Sequence, residues 1–288
     1  MSLSGPAHPF LGADALYSEA DWILLGCPLE ETVTFRPGAR NGPASIRSAS
    51  EGLETYSPPL GRDLEEISVC DLGDLDLPPA DSRGDEGVAP LLSRIRERAA
   101  GVLADDKRLL VLGGEHLLTL PLVEATLQRH PDLVVVQLDA HADLRDDYEG
   151  RKLSHATVMR RVTELEEGVV LFQVGIRSGT RKETELARRS IQVQPCDVAT
   201  LFELLDGVSP RSIYLSLDLD VLDPGTLPGT GTPEPGGWTF QDLESVLHRL
   251  GRHKVVGGDV VELSPDLDPS GISAVTAARC VSEILLAW

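Results

Sequence analysis

A chain of 288 residues with 41% hydrophobic and 25% charged residues can bury a large core, which excludes disordered and fibrous classes and fits one globular α/β domain over residues 1–288. A formal net charge of −20 argues against nucleic acid and anionic membranes as partners, and it permits a cationic ligand. No apolar run approaches the ~20 residues that cross a bilayer. The opening MSLSGPAHPF has neither a basic n-region nor an apolar h-region, and Cys27, Cys70, Cys196 and Cys280 form no C-x-x-C pair, so a reducing cytoplasm is the expected location.

In chain order, strand-like runs occur at Asp21–Cys27, Ile67–Gly73, Arg108–His116, Leu133–His141, Val169–Arg177, Ser212–Asp220 and Val255–Leu263. Most are continuously apolar rather than alternating, as strands covered on both faces are. Between them lie amphipathic helix candidates. One carries Val88, Leu91, Leu92, Ile95, Ala99 and Val102; a second carries Phe240, Leu243, Val246, Leu247 and Leu250, with Thr239 as N-cap; the last carries Ile272, Val275, Ala278, Val281 and Leu285. Pro58–Pro59 and Pro78–Gly87 read as surface loops. Repeated strand–helix alternation predicts a three-layer α/β/α sandwich around a mostly parallel sheet.

Ligands of open parallel sheets sit beyond the carboxyl ends of the strands, and several runs here end in polar groups. VLGGEH ends at His116, QLDAHAD in Asp139, His141 and Asp143, and SLDLD in Asp218 and Asp220. On a continuing strand, residues two apart point the same way, so each pair is expected to face one ligand. Two imidazoles and four carboxylates exceed what one ion uses and match two ions that share bridging carboxylates. A mixed carboxylate and imidazole set suits a borderline-to-hard divalent ion such as Mn²⁺ and excludes an all-thiolate site. His8, His130, His248 and His253 lack such a context and read as surface or loop residues. GGEHLLTL lacks the G-K-[ST] ending of a phosphate loop.

The strings GGEH, DAHADLR, SHATVMRR and SLDLDVLDPGTLPGTGTPEPGG together resemble the ureohydrolase family of arginases and agmatinases, most closely its agmatinase branch. TVTFRPGARNGPASIR and LETYSP extend the likeness, which runs roughly from Gly26 to Glu262. Glu115 departs from the pattern, because aspartate is commoner in the family's GG-D-H. The resemblance implies an arginase-like fold, a homo-oligomer (trimer or hexamer) and two Mn²⁺ per subunit. One ion would be held by His116, Asp139, Asp143 and Asp218, the other by His141, Asp139, Asp218 and Asp220. It further implies that an activated water attacks a guanidinium carbon, that Glu234 clamps the guanidinium, and that His155 passes a proton to the leaving amine.

The implied reaction converts agmatine to putrescine and urea. Within the same chemistry, N1-aminopropylagmatine (giving spermidine) and guanidinobutyrate are alternative substrates; net acidity favours a small cationic guanidine over the anionic guanidinobutyrate. A binuclear phosphoesterase would want basic groups around the metals, where only Arg145, Arg151 and Lys152 are near in sequence. A non-catalytic metal-binding relative is the remaining reading. The acidic run Asp146, Asp147, Tyr148 and Glu149 is expected at the pocket mouth, attracting a distal amine, with Arg177–Thr180 as a second candidate for tail recognition.

Overall fold

The structure, a computed structural model, describes residues 6, 8–80, 84–165, 169–208 and 211–288. Its strands in chain order are β1 (Trp22–Cys27), β2 (Tyr56–Ser57), β3 (Arg62–Asp63), β4 (Val69–Asp74), β5 (Arg108–Gly113), β6 (Val134–Leu138), β7 (Val170–Val174), β8 (Val193–Pro195), β9 (Ile213–Asp218) and β10 (Val255–Val261). Its helices are α1 (Gly42–Ser50), α2 (Asp85–Ala104), α3 (Thr119–Arg129), α4 (Val158–Thr163), α5 (Arg181–Arg189), α6 (Val198–Val208), α7 (Phe240–Leu250) and α8 (Ile272–Ala287). Eight strands form one sheet in the order β4-β1-β5-β10-β9-β6-β7-β8, and every neighbouring pair is parallel. β2 and β3 make a separate antiparallel hairpin whose turn holds the exposed Pro58–Pro59.

The sheet is covered on both sides, and the alternation of each strand sorts its residues between two cores. Trp22 and Leu24 of β1 and Val134, Val136 and Leu138 of β6 face one core, completed by α1, α6, α7 and α8. Ile23 and Leu25, and Val135 of β6, face the other, completed by α2, α3, α4 and α5. Both faces of a strand are therefore dry, which is why the sequence shows runs rather than alternation.

Thr239 caps α7 with a reciprocal Thr239–Asp242 box, as its position predicts. Helix α2 begins at Asp85, so part of the Pro78–Gly87 loop is helical; residues 81–83 lie outside the described residues. Residues 1–5 and 7 of the opening segment also lie outside them. His248 is not a loop histidine. It projects from α7 onto the buried Glu283 of α8 at 2.8 Å, and Glu283 also accepts from Ser57 at 2.8 Å, tying the hairpin to the helical layer. All four cysteines are free, and Cys27, Cys70 and Cys280 are buried.

Candidate metal centre and active site

Four adjacent strands, β5, β10, β9 and β6, carry the candidate residues to one end of the sheet. The spacing of two acts through turns rather than through the pleat, because β6 stops at Leu138 and β9 at Asp218. Asp139 Oδ1 accepts the N–H of His141 at 2.5 Å. Asp218 caps a 3-10 turn over Leu219–Val221 and accepts the N–H of Asp220 at 2.9 Å. Short carboxylates favour such turns. Asp143 takes a left-handed conformation at φ 51, and His116 opens a 3-10 turn beyond β5. Gly114 is required on the way: a Cβ there would lie 2.1 Å from the carbonyl oxygen of Leu29.

These turns bring all six expected ligands together. His116 Nδ1 is surrounded by Asp143 Oδ2 at 3.1 Å, Asp139 Oδ2 at 3.2 Å and Asp218 Oδ2 at 3.3 Å. His141 Nδ1 faces Asp220 Oδ2 at 2.8 Å and Asp139 Oδ1 at 3.7 Å. The two oxygens of Asp139 thus divide between the two histidines, as a shared ligand requires. His116, Asp139 and Asp218 offer one set of atoms within 4.8 Å of one another, and Asp139, His141 and Asp220 a second.

The donor chemistry fits divalent cations. His116 Nδ1 is buried without a hydrogen-bond partner, although three carboxylate oxygens converge on it. Burial first, then Asp220 and Asp139 close by, push Asp218 well above the usual carboxylate range. Burial and Asp139 push Asp143 up to about 6. Against the cost of burial, bonds from His116 and His141 hold Asp139 below its ordinary value, and Asp139 and Asp220 push His141 up to about 12. Such a cluster needs positive charge, which protons or metal ions can supply.

A polar row beneath the candidate ligands bonds to Asp139 and His116. Gln173 of β7, Gln137 of β6, Ser216 of β9 and Asp259 of β10 are neighbours in register, all buried on the α3 side of the sheet. Gln173 Nε2 donates to Gln137 Oε1 at 2.6 Å, and Gln137 Nε2 donates to Asp139 Oδ2 at 2.6 Å. Asp259 accepts hydroxyl protons from Tyr214 at 2.6 Å, Ser216 at 2.9 Å and Thr119 at 3.0 Å. With its proton given to Asp259, Ser216 Oγ is an acceptor for His116 Nε2 at 2.9 Å. His116 Nε2 can therefore donate to Ser216 Oγ, which in the neutral ring would leave the Nδ1 lone pair for a cation held among the carboxylates.

Above the ligands is a cavity of about 270 Å³, lined among others by His116, His141, Tyr148, His155, Thr232 and Glu262. Glu262, which sequence reasoning missed, follows β10 at φ 65, is buried, and accepts the N–H of His116 at 2.7 Å. Burial pushes its carboxyl up to about 8. The signal was present: Glu262 is one more carboxylate at the end of an apolar strand. His155 starts a 3-10 turn capped by Ser154. Burial and then the positive charges of His116 and His141 push its imidazole down to about 4, below the near-neutral titration expected for it. Glu234 stands at the rim, 38% exposed, accepting from Ser178 Oγ at 2.7 Å, with Oε1 3.8 Å from His141 Nε2.

Of the two tail-recognition candidates, the aspartates of the first are engaged elsewhere, whereas Ser178, Gly179 and Thr180 of the second line the cavity. Exposed Asp146 pairs with Arg161 at 2.8 Å, and Asp147 caps its own turn by accepting the N–H of Gly150. Instead of these acids, Arg145 and Tyr148 line the cavity, with the guanidinium 4.9 Å from the ring centroid. Arg177 donates only to backbone carbonyls, those of Gly175, Asp220, Val221, Leu222 and Glu234, and so staples the Asp220 turn to the Glu234 loop. Gly237 makes room for it: a Cβ would lie 2.6 Å from Arg177 Nη2.

The family model described as Arginase family matches residues 20–287. An agmatinase of Bacillus cereus is 40% identical over 283 residues, covering 97% of this chain and 96% of that protein. An N(1)-aminopropylagmatine ureohydrolase of Thermus thermophilus is 38% identical over 261 residues, covering 88% of this chain and 86% of that protein. The crystal structure of agmatine ureohydrolase of Thermoplasma volcanium superposes with a TM-score of 0.85 at 31% identity, covering 98% of this chain and 94% of that one. The match of fold, length and sequence places this chain in the arginase family.

Proposed function

We propose that the chain is a binuclear manganese hydrolase that cleaves the guanidinium group of agmatine to putrescine and urea. The observation that carries this reading is the pair of histidine–carboxylate sets sharing Asp139 on the floor of a cavity walled by Glu262 and His155. His116, Asp139, Asp143 and Asp218 would hold one ion, and His141, Asp139, Asp218 and Asp220 the other. When bound, two divalent ions supply Lewis-acid polarisation and a water acidic enough to act as a nucleophile near neutral pH.

The chain's own residues bind and orient the substrate. A guanidinium is planar and matches a carboxylate through paired hydrogen bonds. The buried Glu262 is better placed for that contact than the rim residue Glu234, so the clamp role expected of Glu234 passes to Glu262 in this proposal. The arriving cation would hold Glu262 ionised, against its burial. Glu262→Gln is expected to lower kcat/KM for agmatine at least about 100-fold, and Glu234→Gln less than about tenfold. Equal losses in the two variants would return the role to the rim. His155, neutral at physiological pH, can take a proton released in the cavity and pass it to the leaving amine.

Asp146 and Asp147 have no part in tail recognition, since both are held by their own loop and Arg161. The double variant Asp146→Asn, Asp147→Asn is expected to keep KM for agmatine within about twofold. A larger rise would restore the acidic loop to the pocket mouth.

The agmatinase name of the Bacillus cereus relative supports agmatine as substrate, and the Thermus thermophilus relative supports N1-aminopropylagmatine as a second reading. A cytoplasmic homo-oligomer of single-domain subunits, trimeric or hexameric, completes the proposal. Among the described residues no helix is long and apolar enough to cross a membrane. Urea release from the Mn²⁺-loaded chain, compared for agmatine, N1-aminopropylagmatine, guanidinobutyrate and arginine, tests it. The highest kcat/KM should fall on agmatine; a higher value on N1-aminopropylagmatine would move the substrate to the longer polyamine.

A further inference from the structure

We propose that Glu115, acting through Thr32, is a positioning residue that holds His155 in the tautomer with its hydrogen on Nδ1 and its lone pair on Nε2. The inference rests on the reading of His155 as the group that moves a proton. Glu115 is completely buried, and its side chain turns away from the carboxylate cluster into the loop that follows β1. There it accepts the N–H of Glu31 at 3.2 Å, the N–H of Thr32 at 2.9 Å and the hydroxyl proton of Thr32 at 2.8 Å.

A threonine hydroxyl has one hydrogen to give. With that hydrogen on Glu115, Thr32 Oγ1 is an acceptor toward everything else it meets. It meets His155 twice, at the backbone N–H at 3.1 Å and at ring Nδ1 at 3.2 Å. Of the two hydroxyls that Nδ1 meets, Thr32 Oγ1 is nearer than Ser154 Oγ, 3.2 Å against 3.4 Å, and as an acceptor it calls for the ring hydrogen of neutral His155 on Nδ1, which leaves the Nε2 lone pair for the cavity that the ring lines. The edge of Tyr148 packs against the same ring, with centroids 5.6 Å apart at 82°. The ring position is thus set from two sides.

The arrangement gives Glu115 a physical reason in place of the commoner aspartate. Its backbone is already bound to Leu29, N–H to carbonyl at 2.8 Å, which fixes the starting point of the side chain. From there the carboxylate must reach two consecutive backbone N–H groups and a hydroxyl at residues 31 and 32, and the extra methylene supplies that reach. During turnover His155 would gain and lose its proton at Nε2, while Nδ1–H stays on Thr32 and the developing imidazolium is stabilised by the hydroxyl and the carboxylate behind it. The device parallels the one at His116, where Ser216 and Asp259 favour the opposite tautomer of the neutral ring.

The test combines kinetics on the Mn²⁺-loaded full chain with ¹⁵N NMR of histidine side chains on the chain loaded with diamagnetic Mg²⁺, with His155 assigned by its loss in His155→Ala. Wild type should show His155 protonated on Nδ1 alone. Thr32→Val should lose that single tautomer and lower kcat for agmatine about 30-fold, with KM within about twofold and bound manganese unchanged. Thr32→Ser should recover kcat to within about threefold of wild type. Should Thr32→Val fold poorly, Glu115→Asp, which keeps the hydroxyl but withdraws the carboxylate, should by itself lower kcat about tenfold at unchanged manganese content. Thr32→Val or Glu115→Asp with wild-type tautomer and kcat, beside a His155→Ala that loses at least about 100-fold, would overturn the relay. His155→Ala at full rate would instead remove the role of His155 and the relay with it, while leaving guanidine hydrolysis by the wild-type chain intact.

Discussion

Asparagine in place of Asp139 is expected to reduce bound Mn²⁺ below two per chain and to lower kcat on agmatine by at least about 1,000-fold, near 4 kcal/mol of barrier. Asp139 is the residue whose two oxygens are divided between the two histidines, 3.2 Å from His116 Nδ1 and 3.7 Å from His141 Nδ1. The amide keeps the shape but loses the charge, and it places a donor where one histidine or its ion needs an acceptor. Gln137 Nε2 and the N–H of His141 already occupy the same carboxylate, so a rotated amide must leave at least one of them unmet. The effect separates cleanly from folding. Manganese at 100 times its Kd stabilises the folded chain by about 2.7 kcal/mol per site, and that increment should shrink in the variant while the metal-free chain still unfolds cooperatively. Isothermal titration and thermal melts with and without Mn²⁺ measure both quantities. Two full-strength sites in the variant would show that Asp139 is not shared.

The second large effect is expected at Ser216, which touches no substrate. Ser216→Ala removes the acceptor of His116 Nε2–H and one of the three hydroxyl donors to Asp259. Both groups left behind are fully buried or nearly so. Leaving a buried donor unmet destabilises by about 1–3 kcal/mol. Freed from Ser216, the ring of His116 can also adopt the other tautomer, with a hydrogen on the very nitrogen that faces the carboxylates. Manganese affinity should fall about 10- to 100-fold, the usual consequence of losing the group behind a ligating histidine. Competition against a chelator reads the affinity, and urea unfolding of the metal-free chain reads the stability. Wild-type affinity in Ser216→Ala would mean that His116 is oriented by its three carboxylate neighbours alone.

The parallel sheet was legible because its strands are dry on both faces: LVVVQL can only be a buried strand or a buried helix, and its length decides for the strand. Helix α7 was legible through Thr239 and its three- and four-residue steps. Helix α3 was not, since TLPLVEATLQR buries its first five residues in succession and leaves only Glu124, Gln128 and Arg129 to mark its period. Helix α5 failed for the opposite reason: it buries little beyond Glu183 and Ala187, and its one signal is the reciprocal box between Thr180 and Glu183.

At the site, residue types and positions were readable, but the reason for their spacing was not. Asp139–His141 and Asp218–Asp220 converge through carboxylate-capped turns, which a strand period cannot show. The Thr32 contacts join residues 83 and 123 apart in sequence. The row from Gln173 to Asp259 depends on the register of four strands. Neither leaves a local pattern.

Guanidine hydrolysis at a two-ion histidine–aspartate centre, as proposed here, requires activity to follow metal occupancy. Stepwise addition of Mn²⁺ to the metal-free full chain, with urea release from agmatine followed at each step, tests it most directly. Activity should rise with bound metal and level off at two ions per chain, with one putrescine formed for every urea. Two ions bound with no urea from agmatine, N1-aminopropylagmatine, guanidinobutyrate or arginine would rule out guanidine hydrolysis at this centre.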